Sequence, residues 1–259
     1  MKLLDRVKQL KPINDVFFEK LIEDKNVCEE ILRVILEDCK LEVLSVTPQN
    51  SIKNLYGRSV RLDAFCKLGD ERLCNIEVQK SDNDNYVKRV RYNASCITAN
   101  NTNVGVAFIE VPDVTMIFIS EFDIFKQGRT IYHCGNTIQE TNTLVNNGLR
   151  EIYVNTVVKD GTTISELMEC FLQEEVNNPK FPLLSEKVWY FKNDEGGLNT
   201  MCKIVEDYAR EIAKDYATEN VKNLFENKGS LELAIATFKN VSEVTIRKIY
   251  EEVTAKNNN

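Results

Sequence analysis

The chain has 259 residues, a formal charge of −7 and 43% apolar residues, which indicates one large folded domain or a core with a small addition. The acidic balance argues against tight nonspecific binding of nucleic acid. A single histidine, His133, excludes a metal site built from several histidines. The eight cysteines form no CxxC pair and are expected to be reduced core thiols. The chain shows no apolar run of membrane-spanning length, so no membrane contact and a cytoplasmic location are expected.

The first half of the chain is predicted to alternate between helices and strands. Helical spacing of apolar residues, β-branched runs and turn residues place the elements. In order they are a helix over 15–38, an extended segment over 42–47 ended by Pro48, strands Val60–Lys67 and Leu73–Lys80 around the turn 69–71, a helix over 83–100 and a buried strand Val114–Ser120.

The second half adds two strands and is then helical. Strands are predicted at Arg129–His133 and Glu151–Thr156, and helices at 163–176, 198–225, 231–238 and 242–252. This order predicts an α/β (α+β) chain with a helical C-terminal extension. We expect a core over residues 1–160, a helical extension over 161–228, and a small helical appendage over 229–259 with a disordered tail.

The hairpin formed by the strands 60–67 and 73–80 carries the candidate chemistry. A three-residue turn at 69–71 would place Asp63 directly opposite Glu77. The two-residue period of a strand puts Asn75 and Gln79 on the same face as Glu77, and Arg61 would lie opposite Gln79. The opposite face would carry core residues: Leu62, Ala64, Cys66, Cys74, Ile76 and Val78.

Two opposed carboxylates repel each other unless a cation lies between them. Hard oxygen ligands at this separation suit Mg²⁺, which uses one or two carboxylates and keeps several waters. The alternative is an exposed polar face with two unrelated acids. A register shifted by one residue would place Asp63 and Glu77 on opposite faces.

The motifs around this hairpin occur in a recognisable order. Asp63 followed by Glu77-Val78-Gln79 resembles the PD-(D/E)XK nuclease signature. The whole set resembles the PD-(D/E)XK family transposases, also called recombination-promoting nucleases, from about residue 12 to residue 157. The other segments that carry this resemblance are Asn14–Phe18, Arg89–Tyr92, Val114–Asp123 and Ile152–Asn155.

The resemblance implies a restriction-endonuclease-like fold, a mixed β-sheet flanked by helices, and Mg²⁺-dependent cleavage of DNA, with Mn²⁺ as a substitute. Asp63 and Glu77 match the metal-binding acids, and the backbone carbonyl of Val78 would complete the metal shell. Gln79 occupies the position at which the general signature has lysine; it is neutral and would position water by hydrogen bonding. Lys80 is expected to point to the other face of the strand.

Further residues are candidates for supporting roles. Arg61, Arg89 and Arg91 are candidate contacts to DNA phosphates, and Asp15 or Glu19 could assist the acids of the hairpin. Residues 51–92 contain nine basic and six acidic residues, so the acidic charge of the chain lies outside the candidate site. This balance predicts weak, salt-sensitive DNA contact.

Two alternatives remain open at this stage. A catalytically degenerate relative would bind DNA or a protein partner without cleavage, and the glutamine in the lysine position leaves room for it. The C-terminal helices are either a homodimerisation or DNA-binding module or a plain helical appendage.

Overall fold

A computed structural model describes residues 3–52 and 59–257. The chain divides into two compact units, Met1–Met201 and Cys202–Asn259. The division into three parts with a boundary at residue 160 stays a prediction, and the tail at 258–259 lies outside the described residues. Within the described ranges, no helix has the length and apolar character needed to cross a membrane.

The N-terminal part is helical but broken. Helix α1 (Leu3–Lys8) is followed by α2 (Asp15–Ile22) and α3 (Lys25–Ile35), so the prediction of one helix over 15–38 was wrong. The break occurs because the Asp24 side chain accepts a hydrogen bond from the backbone N–H of Asn26 and begins a new helix. The apolar periodicity alone does not reveal the break between α2 and α3, because each of these helices buries one face.

The centre of the first unit is a six-stranded mixed sheet flanked by helices, as expected. The spatial order of its strands is β1-β2-β3-β4-β8-β5, and β6 pairs with β7 in a separate two-stranded sheet. The strands are β1 (Val43–Ile52), β2 (Val60–Leu68), β3 (Leu73–Gln79), β4 (Val114–Ser120), β5 (Ile131–Cys134), β6 (Asn136–Ile138), β7 (Thr143–Val145) and β8 (Leu149–Asn155).

Strand β1 was predicted to end at Pro48, and the structure shows that it extends further. Pro48 pairs with Ala64 of β2, and the strand continues to Ile52. A proline is tolerated here because β1 is the edge strand of the sheet, where one side of the backbone has no ladder to maintain.

The predicted register of the β2–β3 hairpin is confirmed over its paired residues. Ala64 faces Ile76 and Cys66 faces Cys74, while Leu68 N donates to Arg72 O across the turn. The residues that were predicted to form the core face of the hairpin are all buried: Leu62, Ala64, Cys66, Cys74, Ile76 and Val78. The ladder ends at Ala64 and Ile76, and just beyond it the backbone N–H of Val78 donates to the carboxylate of Asp63, so Asp63 lies beside the segment that contains Glu77.

Parallel pairing extends the sheet beyond β3. All seven residues of β4 are buried, as predicted for a strand covered on both faces. Helix α4 (Tyr86–Asn100) packs against this strand and against β1 and β2 through an apolar cluster that includes Val90, Ile97 and Phe118. The hairpin therefore has one polar stretch, at Asn75 and Glu77, enclosed between the sheet and a helix.

The remaining helices follow the sheet in the chain. They are α5 (Thr163–Phe171), α6 (Pro182–Asn193), α7 (Glu195–Glu226), α8 (Leu231–Thr237) and α9 (Glu243–Asn257), with a 3-10 turn at Phe108–Glu110. Helix α6 and the ribbon β6–β7 were not predicted. The second unit has its own apolar core, formed by Ala217, Val221, Phe225, Ala234, Val241, Ile246 and Val253.

Candidate functional site

The centre of the candidate site is the carboxylate of Glu77, of which only 1% is exposed. Its Oε1 accepts hydrogen bonds from the side-chain amides of Asn75, at 3.0 Å, and of Asn93. Its Oε2 accepts no hydrogen bond from the described residues and lies 3.3 Å from Nε of Arg89. A buried carboxylate is therefore held by two neutral amides on one oxygen and faces a cation on the other.

Two elements supply these partners. Asn75 precedes Glu77 by two residues on β3, so both side chains lie on one face of the strand. Arg89 and Asn93 are four residues apart on α4 and therefore share one face of the helix. The side chain of Asn85 caps α4 by accepting a hydrogen bond from the backbone N of Lys88, which fixes the first turn of this helix beside the sheet.

Asp63 lies next to Glu77 on the neighbouring strand. Its Oδ2 accepts a hydrogen bond of 3.1 Å from the backbone N–H of Val78. Burial raises the pKa of Asp63 to about 7, and the negative charge of Glu77 adds to this increase, while the bond from Val78 opposes it. The carboxylate of Glu77 is thus close enough for its charge to disfavour the ionisation of Asp63.

A third acid, Asp15, comes from the first residue of α2. Burial raises its pKa, and the positive charges of Lys80, Arg89 and Arg61 act in the opposite direction. The charge of Asp15 also contributes to the raised pKa of Asp63. The site thus receives charged groups from α2, β2, β3 and α4.

Lys80 was predicted to point away from the acids by strand alternation. Strand β3 ends at Gln79, so this alternation does not extend to Lys80, and its charge acts on Asp15. Gln79 itself is partly exposed, and its Nε2 donates to the carbonyl and hydroxyl of Ser81, at 3.2 and 3.3 Å. Its assignment as a water-positioning group stays a prediction.

The other candidates are arranged around this centre. Arg61 is exposed and its charge reaches Asp15. Arg91 is exposed and two residues from Arg89, which turns it to a different side of α4. Glu19 lies one turn after Asp15 and accepts a hydrogen bond from Gln49 Nε2. Their roles in phosphate contact or metal binding stay predictions.

The oxygen atoms at the centre fit a hard divalent cation. Glu77 Oε2 and Asn75 Oδ1 are buried acceptors without a hydrogen-bond partner in the described part of the chain, a costly arrangement that a cation would relieve. No group of three or more Asp, Glu, His or Cys side chains at metal-binding spacing occurs among the residues described. Carboxylate and amide oxygens are the types of ligand that hard cations such as Mg²⁺ prefer, and Mg²⁺ binds through one or two carboxylates and retains waters.

Sequence reasoning missed Asn93 as a partner of Glu77. In the sequence, only its spacing of four residues from Arg89 links Asn93 to the site, and that spacing becomes informative once Arg89 is known to contact Glu77. Asn75 was placed on the correct face, but its bond to Glu77 was not predicted.

One comparison with known proteins gives a result. The family model of the PD-(D/E)XK nuclease family transposases matches residues 12–165, more than half of the chain. No curated protein and no solved structure matches. The matched range contains the hairpin with Asp63 and Glu77, the helix with Arg89 and Asn93, and all the strands of the six-stranded sheet. The chain therefore belongs to the PD-(D/E)XK nuclease family transposases.

Proposed function

We propose that the chain is a metal-dependent DNA endonuclease that hydrolyses phosphodiester bonds at the site formed by Asp63, Glu77 and Gln79, and that its cleavage promotes recombination. The observation that carries the proposal is the pair of buried acceptors that lack a hydrogen-bond partner among the described residues, Glu77 Oε2 and Asn75 Oδ1, beside an acid whose pKa is raised to about 7. The family match supports a nuclease-like chain.

The protein groups have distinct tasks in this proposal. Asp63 and Glu77 hold Mg²⁺, or Mn²⁺ in its place. Val78 is expected to contribute its carbonyl: its N–H reaches Asp63, and a strand residue directs its N–H and C=O towards the same neighbouring strand. A cation held there would supply the positive charge that activates a water and balances the charge developing on the phosphate.

Gln79 and the nearby cations complete the assignment. Gln79 has both a donor and an acceptor, so it can orient the attacking water without abstracting its proton. Arg61 and Arg89 approach the site from β2 and α4 and provide positive charge for the DNA backbone. Arg91 faces elsewhere on α4 and would contact DNA only at the margin.

The test is cleavage of supercoiled plasmid DNA in the presence of Mg²⁺. We expect the wild type to nick or cut the plasmid, Asp63→Ala and Glu77→Gln to be inactive, and added EDTA to abolish cleavage. Asp82→Asn, which removes an exposed acid just beyond β3, is the matched control and should retain activity. Equal cleavage by the wild type and Asp63→Ala would reject the proposal.

A second function is favoured by one observation, the ion pair between Arg89 and Glu77. Because Arg89 supplies positive charge to the buried acid, the site could remain folded as a binding module that never holds a metal. Calorimetric titration with Mg²⁺ and Mn²⁺ separates the two functions. Absence of metal binding together with intact DNA affinity would favour the degenerate relative.

We also propose a cytoplasmic location, in keeping with a DNA substrate. The eight cysteines are free in the structure, which suits a reducing compartment.

A further inference from the structure

Arg89 contacts Glu77 in an unusual way. Its Nε lies 3.3 Å from Oε2, yet Oε2 accepts no hydrogen bond, whereas strong arginine–carboxylate pairs are short and often bidentate. The side chain of Arg89 is 36% exposed while that of Glu77 is 1% exposed. The guanidinium therefore provides charge to the acid without being locked onto it.

A metal ion and Arg89 would compete for the same oxygen. Glu77 Oε1 is already occupied by the amides of Asn75 and Asn93, so Oε2 is the oxygen left for a cation. A buried carboxylate that stays ionised needs a compensating positive charge, because burying an unpaired charge is costly. Two cations on the one free oxygen would repel each other.

We propose that Arg89 is an exchangeable counter-ion. It neutralises Glu77 while the metal is absent, and it is released when the divalent cation binds, so that its planar guanidinium becomes available to a DNA phosphate. This inference rests on the proposed metal-dependent function. It adds that metal binding and the release of a phosphate-binding arginine are one coupled event.

The coupling predicts an effect opposite to that of losing a metal ligand. Arg89→Gln removes the competitor, so the affinity for Mg²⁺ or Mn²⁺ should increase, by roughly five-fold or more if the coupling lies in the usual range for linked binding events. Cleavage by the same variant at saturating metal should decrease, because the phosphate loses a cation. A residue needed only for folding would lower both.

The experiment is calorimetric titration of the full chain with Mn²⁺ and Mg²⁺ at pH 8, above the pKa of about 7 for Asp63, so that protons compete little. Arg91→Gln, the same substitution two residues further along α4, should leave metal affinity unchanged. Unchanged or weakened metal affinity in a folded Arg89→Gln protein would overturn the inference, although metal binding by the wild type would still support the proposed function. If neither protein binds metal, both proposals fail.

A measurement on the wild type covers the case in which Arg89→Gln does not fold. The ¹⁵N–¹H resonance of Arg89 Nε, assigned by its loss in Arg89→Lys, should move on saturation with Mg²⁺ towards the position of the exposed Arg91. A resonance that does not move while the metal binds would show that the arginine stays on Glu77, which contradicts the exchange.

Discussion

The carboxylate of Asp63 accepts a hydrogen bond from the backbone N–H of Val78, 3.1 Å away, just beyond the end of the β2–β3 ladder. The last paired residues are Ala64 and Ile76, so the side chain satisfies a backbone donor that the partner strand does not reach. The candidate metal acid is thereby attached to the sheet itself. Its protonation state should influence both the site and the stability of the fold.

The first prediction concerns pH and the stability of the metal-free protein. Since the pKa of Asp63 rises from 3.8 in the unfolded chain to about 7 in the folded one, the folded state holds this proton more tightly. The free energy of unfolding should therefore decrease as the pH rises from 4 to 7, by at most about 4 kcal/mol at 1.36 kcal/mol per pKa unit. Urea denaturation in EDTA across this range measures the decrease.

Asp63→Asn is the comparison for this experiment, because other acids titrate in the same range. The variant should lose less stability than the wild type between pH 4 and 7. If the free energy of unfolding changes with pH in the same way in both proteins, Asp63 ionises in the folded state without a loss of stability.

The second prediction concerns Asn93, which is 3% exposed and donates to Glu77 Oε1. Asn93→Ala leaves the buried carboxylate with one amide fewer, so the free energy of unfolding should fall by about 1–3 kcal/mol. Asn100→Ala, at the exposed end of α4, should change it by less than about 0.5 kcal/mol. Chemical denaturation measures both; equal losses would mean that the amide of Asn93 contributes nothing specific.

The third prediction concerns Lys192, a buried lysine that joins separate segments of the first unit. Its Nζ donates to the backbone carbonyls of Lys8, Leu10 and Glu174. Lys192→Met leaves these carbonyls without their donor and should lower the free energy of unfolding by about 2 kcal/mol or more. Thermal and urea unfolding are the measurements.

Lys180→Met is the matched control for this substitution. Lys180 forms an exposed ion pair with Glu166, which is worth less than about 1 kcal/mol. A loss in Lys192→Met no greater than in Lys180→Met would contradict the role assigned to the buried ammonium group.

The fourth prediction concerns thiol reactivity. Cys28 and Cys66 are buried with their sulfur atoms 3.5 Å apart, and this contact together with burial raises the pKa of the Cys28 thiol. Burial likewise raises the pKa of Cys74. In the native protein, maleimide should label the exposed Cys39 first, and these three only after unfolding. Mass spectrometry of timed samples reads out the order; rapid native labelling of Cys66 would contradict it.

The part of the site that the sequence predicts well is the hairpin. A turn of three residues determines the pairing on both sides, so Cys66 opposite Cys74 follows from counting. Asp63 and Glu77 lie just beyond the last pair of this ladder, and the charge of Glu77 acts on Asp63. Strand β4 was predicted equally well from the sequence, because a continuous β-branched and aromatic run is typical of a strand covered on both faces.

What could not be predicted depends on tertiary packing. The bond from Asn93 to Glu77 requires the packing of α4 on the sheet to bring Asn93 beside this one residue of β3, and no local pattern encodes that packing. The break between α2 and α3 depends on Asp24, whose side chain competes with the helix for a backbone donor. Arg89 was predicted only as a candidate phosphate contact, and its ion pair with Glu77 depends on the same packing.

The position of Pro48 has a consequence for self-association. Pro48 has no N–H and lies within the edge strand β1, and at the opposite edge of the sheet β5 has four residues. A proline in an edge strand and a short edge strand are both features that hinder strand addition from another chain. These two edges are therefore expected to resist edge-to-edge association.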